Sequence, residues 1–189
     1  WGIDEWSTRR AMLEAGDADQ IYTPLQYLEQ VIDMPGVKIE EGARITITAL
    51  HFNWTVEKGS QYLGSGQLDG EGIPPDFFSD VHIRRAFSYA FDYDTFIEQV
   101  LQGYGFRVSS VIPKGLLGFN ENLPMYDFDL EKAKEEFQQA WDGEVWEKGF
   151  KLTLLYNTGN EERQTACEML KENIESLNPK FKIEVQGVQ

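Results

Sequence analysis

The sequence is poor in the residues that most often bind metals or form covalent cross-links. Its 189 residues include one cysteine, Cys167, and two histidines, His51 and His82. A single cysteine excludes an internal disulfide and any zinc site built from cysteines, and the two histidines have no partner at ligand spacing. Cys167 falls on the apolar side of a predicted helix, so a buried, unreactive thiol is expected. We therefore predict neither a metal nor a cofactor.

Long apolar runs and an excess of positive charge are also missing. No apolar stretch approaches the roughly 20 residues that a transmembrane helix requires. Seventeen Lys and Arg stand against 32 Asp and Glu, so the formal net charge is -15. Such a chain repels nucleic-acid phosphates and anionic membrane surfaces. We therefore exclude nucleic acid as a partner and expect no direct membrane insertion of these residues.

The stretch from Asp80 to Pro113 predicts two short helices that follow each other almost end to end. The carboxylate of Asp80 can accept hydrogen bonds from the free N–H groups at a helix start, and the pair Asp92 and Asp94 can do so again. Gly103 is a usual helix end. Apolar residues recur at helical spacing in both halves: Ile83, Ala86, Phe87, Ala90 and Phe91 in the first, and Phe96, Ile97, Val100 and Leu101 in the second.

Before this stretch the patterns predict two helices and three strands. A serine cap and a glycine stop mark the first helix, and a proline in the first turn marks the second. Alternating and β-branched residues mark the strands. The helices are expected from Ser7 to Gly16, with Met12 and Leu13 inward, and from Pro24 to about residue 35; the strands are expected at Asp19–Tyr22, Val37–Glu41 and Arg44–Asn53.

After residue 53 a glycine-rich segment precedes further helices and strands. Residues 54–78 are dense in Gly, Ser and Pro and predict a long surface loop, mobile between residues 57 and 72. The Gly-Ser-Gly within it lacks the context of a phosphate-binding loop. The later elements expected are a helix capped by Asp129 with a Lys132–Glu136 pair, a strand Phe150–Tyr156, a helix with a capping box of Thr158 and Glu161, and a strand Phe181–Val188.

In this order the segments resemble the family 5 extracytoplasmic solute-binding proteins, the peptide and oligopeptide receptors of ABC importers. The resemblance covers nearly the whole chain, with the glycine-rich loop as the main exception. His82, Arg85 and Tyr93 depart from the family's usual residues. The matching residues are Thr8, Arg9, Leu13, Gly16 and Asp19; Leu50, Phe52 and Asn53; Asp80, Val81, Arg84, Ala86, Ala90, Asp92, Val100, Gly103, Ile112 and Pro113; and Tyr126, Asp129, Glu131, Lys132, Ala133 and Lys134.

The resemblance implies an α/β chain that forms part of a two-lobed periplasmic-binding-protein type II fold, with a mixed sheet and flanking helices. Residues 1–48 would end the first lobe, and residues 49–189 would begin the second, ligand-closing lobe, with a Gly-rich insertion at about 55–78. The abrupt opening Trp1-Gly2-Ile3-Asp4 without a signal peptide favours a piece of a longer protein. The compartment, extracytoplasmic in the periplasm or lipid-anchored at the cell surface, then follows from the resemblance alone.

The implied function is capture of peptides or oligopeptides and their delivery to the membrane permease subunits of an ABC transporter. The strand Arg44–Asn53 would cross between the lobes and line the ligand cleft. Together with the end of the second helix it supplies the residues that we expect to line the ligand site: Thr48, His51, Asn53, Gly103 and Tyr104.

Two other ligand or function classes stay open. An oligosaccharide would suit a chain with five Trp and eight Tyr, since aromatic rings stack on sugars, although core packing also uses them. A carboxylate-dependent hydrolase would need a free acidic pair, but Asp80, Asp92, Asp129 and Glu161 all stand at helix starts, where capping explains them. Gly-x-Ser-x-Gly and His-Glu-x-x-His are both absent. We therefore predict that the chain is not an enzyme. A self-contained interaction module is a third class.

Overall fold

Two parallel strands joined by a long helix form the centre of the fold. The structure is a computed structural model that describes residues 2–40 and 45–189. The strands are β1 (Phe150–Asn157) and β2 (Phe181–Val188). They pair in register from Phe150 opposite Phe181 to Asn157 opposite Val188. A parallel pair needs a crossover connection, and α6 (Glu161–Leu177) provides it. Both strands and this helix were predicted from the sequence, and the fold class is α/β.

The other helices lie before the sheet along the chain. Short 3-10 turns connect them at Leu25–Gln30, Gln61–Leu63, Phe77–Ser79 and Ala140–Gly143. The helices are α1 (Trp6–Ala15), α2 (Val81–Tyr89), α3 (Tyr93–Thr95, continued by a π-helical turn at Phe96–Val100), α4 (Leu130–Gln139) and α5 (Glu144–Lys148).

The core is built from phenylalanines that belong to different elements. Phe87 of α2 lies 5.8 Å from Phe137 of α4, measured between ring centroids. Phe137 lies 4.9 Å from Phe181 of β2, and Phe181 lies 4.5 Å from Phe150 of β1. All four rings are buried. Four of the five apolar positions expected on the first helix are buried, namely Ile83, Ala86, Phe87 and Ala90. The fifth, Phe91, follows the end of α2 and is half-buried.

Helix α3 confirms the second predicted helix and shows how it departs from regular geometry. Asp92 caps it by accepting from Thr95 N at 3.0 Å. The backbone then widens into the π-helical turn, which ends at Val100, and Gly103 follows in the turn after it with a φ of +80°. The apolar residues of this helix are half-buried instead of fully buried. The second helix therefore packs on the surface of the core and does not enter its interior.

None of the three strands predicted before residue 54 forms within the described residues. Residues 19–22 are irregular, and residues 37–40 and 45–53 contain no strand; Glu41 and Arg44, which bound two of the predicted strands, lie outside the described residues. No backbone hydrogen bond joins residues 45–53 to another segment of the described chain. Alternating β-branched residues indicate a surface that fits a sheet, but a strand also needs a partner edge. Because residues 45–53 have no such partner within the part of the chain described, they stay irregular although their sequence alternates as a strand does.

Three predicted side-chain roles are also wrong. Glu5, not Ser7, caps α1 and accepts from Ser7 N at 3.1 Å, and its hydrogen bonds to Ser7 and Thr8 lower its pKa to about 2. Asn160, not the pair of Thr158 and Glu161, caps α6. Lys132 pairs with Asp129 at 3.2 Å instead of with Glu136. Each error displaces a polar contact by a few residues and leaves the helix in place.

Met12 and Leu13 of α1 are half-buried, so they pack inward only in part.

The glycine-rich segment 54–78 is largely exposed and irregular, as predicted for a surface loop, but buried residues anchor it in the core; its mobility stays a prediction. Leu63 and Ile73 are buried in the main core. Gly64 and Gly72 form an antiparallel bridge, and a Cβ on Gly72 would stand 2.4 Å from Leu63 O. These glycines therefore permit close approach of two backbones. That the segment is an insertion in its family stays a prediction.

Asp80 caps α2 as predicted, and it also makes a tertiary bond that the sequence did not indicate. Its Oδ1 accepts from His82 N at 2.7 Å, and its Oδ2 accepts from Trp141 N at 2.7 Å. Trp141 has a left-handed φ of +52°, which is strained for a residue with a side chain. Asp80 thus joins the start of α2 to the strained turn between α4 and α5.

We expect Asp80→Ala to lower the free energy of unfolding by about 2 kcal/mol, about half from the lost cap and half from the orphaned Trp141 N–H. Asp80→Asn is the matched variant, because its amide oxygen keeps the cap while its NH2 group cannot accept from Trp141. Urea denaturation should rank the proteins as wild type, Asn and then Ala. An unchanged midpoint for Ala would contradict the cap, and an Asn variant as stable as wild type would contradict the tertiary bond.

Candidate ligand-binding site

Three of the predicted lining residues lie on one exposed segment beside the core. Thr48, His51 and Asn53 are all exposed. Between the last two, the Phe52 ring is half-buried, with its centroid 5.0 Å from that of Phe78 and 5.8 Å from that of Phe87. This anchor holds the segment on the core although no sheet hydrogen bonds do. His51 and Asn53 therefore lie on either side of the anchored Phe52 and present their polar groups to solvent.

Gly103 and Tyr104 lie at the end of the π-helical turn. The N–H of Gly103 donates to Ile97 O at 2.9 Å, and that of Tyr104 donates to Leu101 O at 2.7 Å. The Tyr104 side chain is 46% exposed. Bulges of this kind are frequent at functional sites. The local geometry is thus compatible with a lining role for both residues.

The structure does not gather the five predicted residues into one cluster. Across residues 2–40 and 45–189, no hydrogen bond or aromatic contact joins the segment 48–53 to residues 103 and 104. What the two groups share is exposure and attachment to the same helical pair, through Phe52 on Phe87 of α2 and through α3. Their role as one lining therefore stays a prediction.

Sequence reasoning missed an ordered pair beside Asn53. The guanidinium of Arg84 lies over the Trp54 ring, 4.4 Å from its centroid. Its Nη1 donates to Phe78 O at 2.6 Å and to Ser79 O at 2.8 Å. Trp54 nevertheless stays 61% exposed. Its position next to a predicted lining residue was visible in the sequence, whereas its stacking on a residue 30 positions away was not.

A second arginine closes the long irregular segment that follows Tyr104. Arg107 Nη1 donates to Asp127 Oδ1 at 3.1 Å, and Nη2 donates to the Tyr126 carbonyl. The same guanidinium lies 4.8 Å from the centroid of the Tyr93 ring. Ser109 Oγ also donates to Asn120 O at 2.7 Å. Residues 107–127 therefore form a loop with its two ends tied together and fixed to α3.

Burial raises the pKa of two groups that could serve as nucleophiles. Burial raises the pKa of Tyr93, and the nearby Arg107 opposes this only in part, so the phenol stays neutral and donates to Ser88 O at 3.0 Å. Burial also raises the pKa of the Cys167 thiol, which lowers its fraction of reactive thiolate. Neither group is activated as a nucleophile.

A groove lies away from these residues. This groove of about 370 Å³ runs between α3 and α6, and its lining includes Asp92, Gln99, Glu172 and Asn173 but none of the five predicted residues.

In the part of the chain that the structure describes, no group of three or more His, Cys, Asp or Glu side chains is arranged to hold a metal ion. Among the helices of those same residues, none has the length and apolar character to cross a membrane.

Comparison with known proteins identifies the family. Residues 2–189 match the model of the bacterial extracellular solute-binding proteins, family 5 middle region. The chain is 25% identical to heme-binding protein A of Haemophilus influenzae over 89% of this chain and 27% of that protein. It is 28% identical to the probable D,D-dipeptide-binding periplasmic protein of Escherichia coli over 82% of this chain and 26% of that protein. The chain thus spans about a quarter of these relatives' length.

A solved structure shows the same fold. The oligopeptide-binding protein of Bacillus subtilis, in complex with a nonapeptide, superposes with a TM-score of 0.66 at 19% identity. The match covers 99% of this chain and 35% of that protein. The two-lobed periplasmic-binding-protein type II fold, of which this chain forms a part, is therefore confirmed.

We expect Arg107→Lys to loosen the loop 107–127, because a lysine keeps the charge but lacks the rigid planar fork with which Arg107 reaches the Tyr126 carbonyl and the Asp127 carboxylate from separate nitrogens. Amide exchange at residues 112, 116 and 119 should become about tenfold faster, which corresponds to the loss of one net hydrogen bond. Arg85→Lys is the control, since Arg85 makes only a loose 3.9 Å pair with Glu136. Equal exchange in the two variants would show that Arg107 does not hold the loop.

Proposed function

The chain belongs to the bacterial extracellular solute-binding proteins of family 5, and on that premise we propose that it is part of the extracytoplasmic receptor of an ABC importer, which captures peptides or oligopeptides and delivers them to the permease. The observation that carries this proposal is the family match over residues 2–189. The fold likeness to a receptor that holds a nonapeptide supports it. Relatives named as binding proteins for heme and for a dipeptide leave the ligand class as the finer question.

Residues 1–48 end the first lobe and residues 49–189 begin the ligand-closing lobe in this proposal. The anchor of Phe52 on Phe78 and Phe87 supports a boundary near residue 49, because it ties the chain to the core of the second unit directly after it. The polar side chains that surround Phe52 then lie where the lobes meet. A hinge needs only a few residues that absorb a change in backbone angles, and the segment without ladder hydrogen bonds can supply them.

The exposed groups at this boundary suit recognition of a peptide main chain. Asn53 offers an amide donor and acceptor, Thr48 a hydroxyl, and His51 a ring nitrogen of either role. An extended peptide binds by backbone hydrogen bonds of this kind, while its side chains enter wet pockets. Tyr104 adds a ring with a polar tip. None of these groups requires a metal or a covalent step, which agrees with a receptor and not an enzyme.

An oligosaccharide is the second candidate ligand. It is favoured by the exposure of Trp54 at 61% and of Tyr104 at 46%, since such rings stack on sugar faces. The polar groups near Asn53 serve sugar hydroxyls as well as peptide amides. The ligand classes therefore have to be separated by experiment.

The test is a thermal-shift screen and calorimetry on the complete receptor, with mixed tetrapeptides to nonapeptides in one arm and cello-oligosaccharides in the other. We expect stabilisation by peptides and about a tenfold weaker Kd for Asn53→Ala, because each lost hydrogen bond at a desolvated site removes roughly 1–1.5 kcal/mol. Asn122→Ala, another exposed amide, is the control and should bind as wild type does. Stabilisation by oligosaccharides alone would replace the peptide proposal, and binding unaffected by Asn53→Ala would remove this residue from the site.

A further inference from the structure

The Trp54 side chain is held in one orientation although most of its surface is open. On one side along the chain, Phe52 is packed against the core rings. On the other side, Val56 N donates to Pro75 O at 2.8 Å. The backbone of Trp54 is therefore fixed on both sides within two residues. The residue as a whole is 61% exposed.

Arg84 supports the ring of Trp54. Its guanidinium lies 4.4 Å from the ring centroid, and the two carbonyls of Phe78 and Ser79 hold the guanidinium in turn. An arginine bound to two carbonyls does not swing freely. The ring is thus supported from one face, and a partner that stacks on it loses little side-chain freedom in the protein, which favours affinity.

The cation beneath the ring decides which partner suits the open face. The face of an aromatic ring attracts cations because it is electron-rich. Arg84 already uses that attraction from one side, and its charge repels a second cation on the other. An aromatic or other neutral planar group gains stacking energy there without this repulsion. The pair therefore selects against an ammonium group and for a neutral ring.

We propose that the indole of Trp54, backed by the guanidinium of Arg84, is a stacking platform that recognises a neutral aromatic side chain of a bound peptide. This inference rests on the proposed function, and it deepens it by assigning a specificity to one point of the site. Asn53, directly before the platform, holds the peptide main chain, and the ring beside it takes a side chain.

The test uses the complete receptor and a set of tetrapeptides in which Phe, Ala or Lys occupies each position in turn within an alanine background. Wild type should bind one Phe-containing peptide about tenfold more tightly than its Lys counterpart, and Trp54→Ala should abolish this preference while Trp54→Phe retains it. Arg84→Gln should relax the discrimination against Lys, with its unfolding curve measured in parallel. Phe128→Ala is the control, because Phe128 is an exposed phenylalanine that lies outside the segments assigned to the site and should leave the preference unchanged.

A second measurement asks whether another part of the receptor covers the ring. Acrylamide quenching of the fluorescence lost in Trp54→Phe should be strong without peptide and weak with the Phe-containing peptide. A ring that is shielded before any peptide is added, or a Trp54→Ala variant that keeps the Phe preference, overturns the platform and leaves peptide binding intact. A wild-type receptor that binds none of these tetrapeptides and none of the longer peptides overturns the proposed function and the platform with it.

Discussion

The contacts among a connected group of phenylalanines hold this structure together. Phe87, Phe137, Phe150 and Phe181 join α2, α4, β1 and β2, and the centroids of Phe150 and Phe181 are 4.5 Å apart. Phe78 and Phe52 extend the group outward, the latter 5.8 Å from Phe87. Burial of one such ring contributes about 1.5–3 kcal/mol, with a further gain for well-placed pairs. A two-stranded sheet alone would be marginal, so the rings and not the ladder supply the cohesion.

The candidate site depends on that core in a specific way. Residues 45–53 have no backbone partners among the described residues, and the ring of Phe52 holds them instead. Single side chains also fix the irregular segments elsewhere: Asp80 bonds the turn at Trp141, and Arg107 ties the loop 107–127. Side-chain ties of this kind leave the backbone free to change its angles. That combination suits a wall that must be positioned but also take part in a hinge.

The sequence predicted those elements of the fold that depend on residues close together along the chain, and it missed those that depend on distant residues. Helix α2, strand β1 and strand β2 were found because their apolar periodicity is local and agrees with the core. The cap of α1 was misplaced by two residues, since Glu5 and Ser7 are both able to cap and only the folded geometry decides. The strand Arg44–Asn53 failed because pairing needs a partner edge that periodicity does not reveal.

The site was predictable only in part for the same reason. Its polar residues were named from the family resemblance, and the structure shows them exposed but not gathered. The contact of Arg84 with Trp54 and the bond of Arg107 to Asp127 join residues 30 and 20 positions apart, and no spacing rule indicates either. Long-range contacts between a cation and a ring or a loop carbonyl leave no periodic trace in the sequence.

The central claim is that the segment held by Phe52 and the end of the π-helical turn form one wall of a ligand cleft. The most direct measurement is amide hydrogen exchange of the complete receptor with and without a saturating nonapeptide that it binds. The account predicts slower exchange at residues 48–54 and 103–107 together when the peptide is present, while the sheet residues 150–157 stay unchanged. Protection confined to other parts of the receptor, with both segments exchanging as in the free protein, would contradict it.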